Sequence, residues 1–401
     1  MCILRRILAN LSSCDDDIRS YLIRKDSLEQ IRPLLHKFHK VQDVNSIDTF
    51  VILVSNLMNK SENHRMTISG TGLIDDLIVT AQSYQQDRML SESLIWMYSC
   101  LLSPTVHLNP SLQEQILEWS AEVYYRHPNE TVFEELLWST CGFLKREDAS
   151  QKRVQLIMNL KIDEAFWETA LHGQIGMKSI TMSCRLLCTL IHMKNYTSQH
   201  FSLTSFSKIL DQVNRRMPFD ELTDHKMADE RTTFLYLINQ MLSSPLSSDG
   251  YFLWILQRMD ILVKITELST HAPELRLALQ IITQIISQLH DNHELELVLM
   301  VQKHIFRAVL CKLDESNDHG PQVTLEALKC MESLLEAGAR FHSRAGTHLD
   351  VEYQDGHSPD ADNPVKNIFV TYAEIDYLEK LQNSNHKEVA NQAIYIVEQY
   401  F

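Results

Sequence analysis

His36 and His39, and again His290 and His293, stand three residues apart, a spacing that can turn two imidazoles to one side of a helix and begin a metal site. No carboxylate or cysteine set completes either pair, and both fall near helix ends, so they read as solvated histidines. Cys184 and Cys188 lie one helical turn apart in an apolar run and read as packing residues. Gly70-Thr71-Gly72 lacks the third glycine or the Lys-Ser/Thr that a phosphate loop needs, and reads as a turn between helices. There is no Gly-x-Ser-x-Gly, no His-Glu-x-x-His and nothing that links a nucleophile to a base. The chain is therefore expected not to be an enzyme and to carry no metal or cofactor. What remains is a set of residues whose meaning depends on the elements that position them.

Composition narrows those elements. The chain has 401 residues but only ten glycines and ten prolines, too few for the turns of a doubly wound or barrel α/β enzyme or of an all-β chain. Against 52 Asp+Glu stand 37 Lys+Arg, and the formal charge of −15 argues against a binder that neutralises nucleic-acid phosphates. At 44% hydrophobic residues the chain is too apolar to be disordered. None of the eight cysteines forms a Cys-x-x-Cys pair, and most lie inside apolar periodic runs. No stretch approaches a membrane span, and in Met1-Cys2-Ile3-Leu4-Arg5-Arg6 the charges follow the apolar residues, the wrong order for a secretory signal. A soluble intracellular protein is expected.

Internal repetition predicts the architecture. Apolar segments of 3.6-residue periodicity end in similar strings, such as Val54-Ser55-Asn56-Leu57-Met58, Tyr98-Ser99-Cys100-Leu101-Leu102 and Leu237-Ile238-Asn239-Gln240-Met241. Their central residues are Asn10, Asn56, Cys100, Gly142, Cys188, Asn239, Gln284 and Ser333, with gaps of 42 to 51 residues. That spacing suits armadillo or HEAT units of roughly 40 to 47 residues. Within Ser61 to Ser103 the pattern predicts a short helix from Glu62 to Ser69, a second from Leu73 to Ser83 and a longer third from about Arg88 to Leu102. Short-short-long is the armadillo arrangement, and the unit from Asp249 to His290 reads similarly. The expected fold is all-α, a right-handed superhelical solenoid of about eight armadillo repeats plus a partial N-terminal one, in which residues 1–13 supply only a last helix. Residues 1–341 form the solenoid, residues 342–362 an acidic flexible loop, and residues 363–401 a final repeat of the same continuous domain.

The final repeat carries a resemblance. It reads Asn363-Pro364, then Tyr372-Ala373-Glu374-Ile375-Asp376-Tyr377-Leu378-Glu379-Lys380-Leu381-Gln382, and closes on Glu398-Gln399-Tyr400-Phe401. This resembles the last armadillo repeat of the importin-α family, adaptors that carry proteins with basic nuclear localisation signals. Glu374 stands where that family's Gly-x-Asp-x-Ile-Glu-x-Leu-Gln string has its glycine. The resemblance implies that long third helices line a concave groove, each with a Trp one turn before an Asn. The Asn amide would hold the backbone of an extended peptide, Trp faces would flank lysine stems, and acidic side chains would meet the ammonium ends.

Placed on this chain, the Trp position is kept at Trp96 and Trp138, and the Asn position at Asn10, Asn56 and Asn239, but no repeat keeps both. Glu92, Glu134 and Glu135 lie on the Trp-bearing helices and could face the groove. A buried asparagine in an apolar helix would strand an amide at about 1 to 3 kcal/mol, which favours a groove-facing reading of all three over bonds within the solenoid, while Trp96 and Trp138 read either as core aromatics or as groove faces. Arg6 and Lys329 occupy Trp positions and would repel a basic ligand. The resemblance implies an import adaptor with a partly degenerate groove that shuttles between cytoplasm and nucleus. Its partners would be cargo bearing basic signals and, through the C-terminal repeats, the export receptor, with no direct nucleic-acid or membrane partner. The sequence begins inside a repeat without the family's basic segment: if the chain is complete, recruitment of importin-β by that route is expected to fail, and if it is a truncated product, the segment is expected upstream of Met1. The alternative is an armadillo scaffold for one dedicated partner, without general signal binding.

Overall fold

A computed structural model describes residues 20, 23, 25–59, 62–84, 86–103, 106, 108–145, 151–173, 176–193, 196, 200, 202–217, 225–243, 259–287, 305–313, 319–345, 365–366, 369–370 and 376–401. Among these residues there are eighteen helices and no strand. Chain contacts divide between Tyr196 and Thr197 into two units.

In the first unit the helices are α1 (Lys25–Lys40), α2 (Val44–Asn59), α3 (Glu62–Ser69), α4 (Leu73–Gln82), α5 (Arg88–Leu101), α6 (Pro110–Arg126), α7 (Glu130–Leu144), α8 (Gln151–Asn159), α9 (Ile162–His172) and α10 (Met177–His192). Helices α3, α4 and α5 match the three expected between Ser61 and Ser103 to within a residue at each end. Gly70-Thr71-Gly72 is the turn between α3 and α4, with Gly72 at φ 70°, a left-handed conformation that glycine adopts without strain. Local chemistry starts the longer helices. The Asp87 carboxylate accepts from the Leu90 N–H at 3.0 Å, and the Asn129 side chain accepts from the Val132 N–H at 3.0 Å. Helix α6 opens on the Asn109 cap with Pro110 in its first turn, where the missing N–H is harmless.

The long helices stack in sequence order, α2 on α5, α5 on α7 and α7 on α10. The repeat centres Asn56, Cys100, Gly142 and Cys188 fall one on each of them. On α5 the stripe Leu90, Leu94, Met97, Tyr98 and Leu101 is buried, and each such side chain contributes on the order of 1.5 to 3 kcal/mol. The stack is compatible with a helical solenoid, in which each repeat buries its apolar face only against its neighbours. One repeat departs from the expected three-helix plan. Among the described residues between Ser103 and Leu144 there are two helices, α6 running unbroken for 17 residues. The short-short-long plan recurs in α8, α9 and α10.

The second unit contains α11 (Leu203–Arg215), α12 (His225–Ser243), α13 (Met259–Leu268), α14 (Ala272–Ser287), α15 (Ile305–Leu310), α16 (Pro321–Ala345), α17 (Asp376–Gln382) and α18 (Lys387–Tyr400). Its long helices again stack in order, α12 on α14, α14 on α16 and α16 on α18, and the centres Asn239, Gln284 and Ser333 lie on the first three. Helix α16 continues to Ala345, past the boundary expected at residue 341. Of the string in the final repeat, Asp376–Gln382 is helical and buries Leu378 and Leu381. Asn363, Pro364 and residues 372–375 lie outside the described residues, as do residues 1–13 and 346–362. Across α12 and α14 runs an ion pair with both side chains fully buried: Arg231 Nη2 donates to Glu274 Oε2 at 3.0 Å. Ser269 also donates to Glu274 Oε2, at 2.8 Å, and Arg231 Nη1 donates to the Arg216 carbonyl at 2.8 Å.

Candidate functional site

Helix periodicity turns one line of each long helix away from the stack. On α5 that line carries Glu92, Trp96 and Ser99, and on α7 it carries Glu134, Trp138 and Cys141, none of them fully buried. Trp138 is 47% exposed, and Trp96 is half-buried. Each Trp follows a Glu by four residues, so on both helices the carboxylate sits one turn before the ring.

Polar bonds between neighbouring helices set the register. Ser99 of α5 donates a short hydrogen bond to Glu135 of α7. Asn129 Nδ2 donates to Glu92 Oε1 at 3.0 Å, and Ser179 Oγ of α10 donates to Glu134 Oε1 at 3.3 Å. The two outward glutamates also hold intramolecular cations. Arg88 Nε lies 3.0 Å from Glu92 Oε1, and Lys178 Nζ lies 3.2 Å from Glu134 Oε2. Burial pushes the Glu135 carboxyl above its usual range, Ser99 opposes the shift, Glu134 adds to it, and Lys178 opposes it.

The expected site residues are thus partly gathered. Trp96, Trp138, Glu92, Glu134 and Glu135 share adjacent helices, and Asn56 is half-buried on α2, the next helix of the stack. Asn10 lies outside the described residues. Asn239 belongs to the second unit and is only 8% exposed, and its Oδ1 has no hydrogen-bond partner. That is the stranded amide which a groove-facing reading was meant to avoid. Its helix instead turns out Tyr236, while Leu235, in the expected Trp register, is fully buried. On α10 the register position Cys184 is likewise buried and Arg185 is exposed. Lys329 of α16, the other cation in a Trp position, pairs with Glu326 at 3.3 Å.

Asp48 of α2 stands eight residues before its repeat centre, as Glu92 and Glu134 do before theirs. It is buried, its Oδ1 has no partner, and burial raises its carboxyl above the ordinary 3.8. A bond with Ser93 opposes the shift, and nearby Asp87 and Glu92 add to it. Because the folded value exceeds the unfolded one, the folded chain holds more proton between the two, and stability falls as pH rises through the folded value. Asp48→Asn is expected to stabilise the chain by about 1 kcal/mol at pH 7, the scale of one poorly satisfied buried polar group. The gain should vanish once the pH drops below both values. Urea melts of the two chains at pH 7 and in acid check this.

The other sequence candidates have structural roles. His36 Nε2 is 3.4 Å from Asp76, and the His39 carbonyl accepts from the Tyr84 hydroxyl at 3.2 Å, so both histidines tie α1 to the following repeat. His290 and His293 lie outside the described residues. Cys184 and Cys188 are buried in α10, and burial pushes the Cys188 thiol well up. Among the described residues no group of three or more metal-ligating side chains is found, and no helix is long and apolar enough to cross a membrane. An open depression of about 630 Å³ between α6 and the α8–α9 turn is lined by Glu118, Glu122, Tyr125, Arg126 and Lys161, charges of both signs that leave its net charge near zero. No family model and no curated protein matches the chain.

Proposed function

We propose that the chain is an armadillo-type adaptor akin to importin-α, which takes an extended, Lys- or Arg-bearing segment on the outward line of α5 and α7. One observation carries this reading: two accessible Trp rings on adjacent long helices, each with a carboxylate one turn before it. Lysine stems would lie along the rings, with cation–π attraction of about 0.5 to 2 kcal/mol each. The carboxylates would receive the ammonium ends. By the resemblance, such an adaptor would move cargo between cytoplasm and nucleus, and its C-terminal repeats would meet the export receptor.

A second reading is favoured by the pairs Arg88–Glu92 and Lys178–Glu134. Carboxylates already held by the chain's own cations suit a scaffold for one dedicated partner, without general signal binding. Fluorescence anisotropy with a Lys-rich signal peptide separates the two. For the adaptor, micromolar or tighter binding is expected, and Trp96→Ala and Trp138→Ala should each weaken it about 2- to 30-fold. No binding at low salt points to the dedicated scaffold.

A further inference from the structure

We infer that Arg88 and Lys178 are built-in competitors for the ligand's cations, and that they restrict the site to extended segments carrying two such cations about three residues apart. The inference rests on the reading of α5 and α7 as a site for basic segments and adds what selects among them.

The two pairs have the same layering. Arg88 is 69% exposed over Glu92 at 33%, and Lys178 is 64% exposed over Glu134 at 27%. The cations are the outer partners and the carboxylates the inner ones. Each carboxylate has a second holder besides its cation: Asn129 for Glu92 and Ser179 for Glu134. Displacing Arg88 or Lys178 therefore leaves the acceptor in place and aimed outward. Exposed pairs of this kind hold weakly, so an incoming ammonium or guanidinium can replace either one. Tethered competitors act at high effective concentration, which sets a threshold that a single stray cation does not pass.

Spacing follows from the helices. Glu92 and Glu134 occupy equivalent positions on packed neighbours, whose axes lie about 8 to 10 Å apart. An extended chain of polyproline-II type advances about 3.1 Å per residue and returns side chains to the same face every third residue, so cations three residues apart reach both acceptors. Displacing one competitor gains little, because the ligand replaces one ion pair with another. Displacing both while an apolar stem covers Trp96 or Trp138 adds buried surface that Arg88 and Lys178 do not supply.

The test uses the full chain and two labelled peptides: a Ser/Ala nonapeptide with two lysines three residues apart, and its twin with both lysines replaced by glutamine. Arg88→Met and Lys178→Met are each expected to tighten the lysine peptide about two- to fivefold, the double variant by roughly the product, with the glutamine peptide unchanged. In a Glu134→Gln background, Lys178→Met should no longer have an effect. If wild type binds the lysine peptide and the Met variants bind it no better, the competitor role is overturned while the basic-segment reading stands. Tightening of both peptides alike overturns it too, since that is relief of bulk and not of charge. If neither wild type nor any variant binds the lysine peptide, the basic-segment reading fails with it. Circular dichroism melts confirm that each variant is folded.

Discussion

Arg231→Ala is expected to destabilise the chain by about 3 to 5 kcal/mol, the range for breaking a buried ion pair by removing one partner. Both side chains of the pair are fully buried between α12 and α14. Without the guanidinium, Glu274 keeps only Ser269 among its side-chain partners named above, and the Arg216 carbonyl loses the bond from Arg231. The penalty comes from stranding these groups, not from losing an attraction of that size. The control follows from the same physics: Arg231→Met with Glu274→Leu removes both charges and keeps the volume, and should recover most of the loss. Urea unfolding followed by helical ellipticity measures all three chains. A loss below about 1 kcal/mol for Arg231→Ala, or a double variant no better than the single, would sink the account.

That pair also shows where sequence reading stops. Apolar periodicity and a 42- to 51-residue recurrence were enough to place α3, α4 and α5 nearly to the residue and to put the centres from Asn56 to Ser333 on seven successive long helices of the two stacks. Those signals come from burial, which repeats along the chain and is visible in residue types. Arg231 and Glu274, 43 residues apart, fall eight and ten residues before the centres of consecutive repeats, and nothing in their local strings marks them as partners. Lys178 and Glu134, 44 residues apart, are hidden in the same way, whereas Arg88 and Glu92 share a helix four residues apart and could have been read directly. Facing residues were the least legible. A helix needs to roll by only one residue, about 100°, to exchange Leu235 for Tyr236 or Cys184 for Arg185 on the open side. That roll is set by how neighbouring helices interlock. The single long helix α6, where the armadillo plan has two short ones, has the same kind of cause: its cap and proline mark a start, but no residue inside it forces a break.

Gly142 joins this packing logic to the candidate site. In the importin-α resemblance its position belongs to an Asn that grips the ligand backbone, so Gly142→Asn looks like a repair. The opposite is expected. A Cβ at this position would stand 2.3 Å from the Leu102 carbonyl oxygen and 2.8 Å from its carbon, both backbone atoms at the end of α5. Glycine is what allows α7 to lie so close to that helix end, and a side chain there must push the two long helices apart. In an unobstructed helix, replacing glycine by alanine gains up to about 1 kcal/mol. Here Gly142→Ala should lose about 1 to 3 kcal/mol and Gly142→Asn about 3 kcal/mol or more, because overpacking against backbone cannot relax by rotating a rotamer. Trp138 lies one turn before Gly142 on α7, and Trp96 lies on the helix that α7 would be pushed from. The same substitution should therefore spread the two rings and weaken, not strengthen, any segment held between them. Thermal melts and peptide anisotropy on the same Gly142→Asn sample decide the matter: an unchanged melting temperature with tighter binding would mean that the glycine stands in an open groove after all.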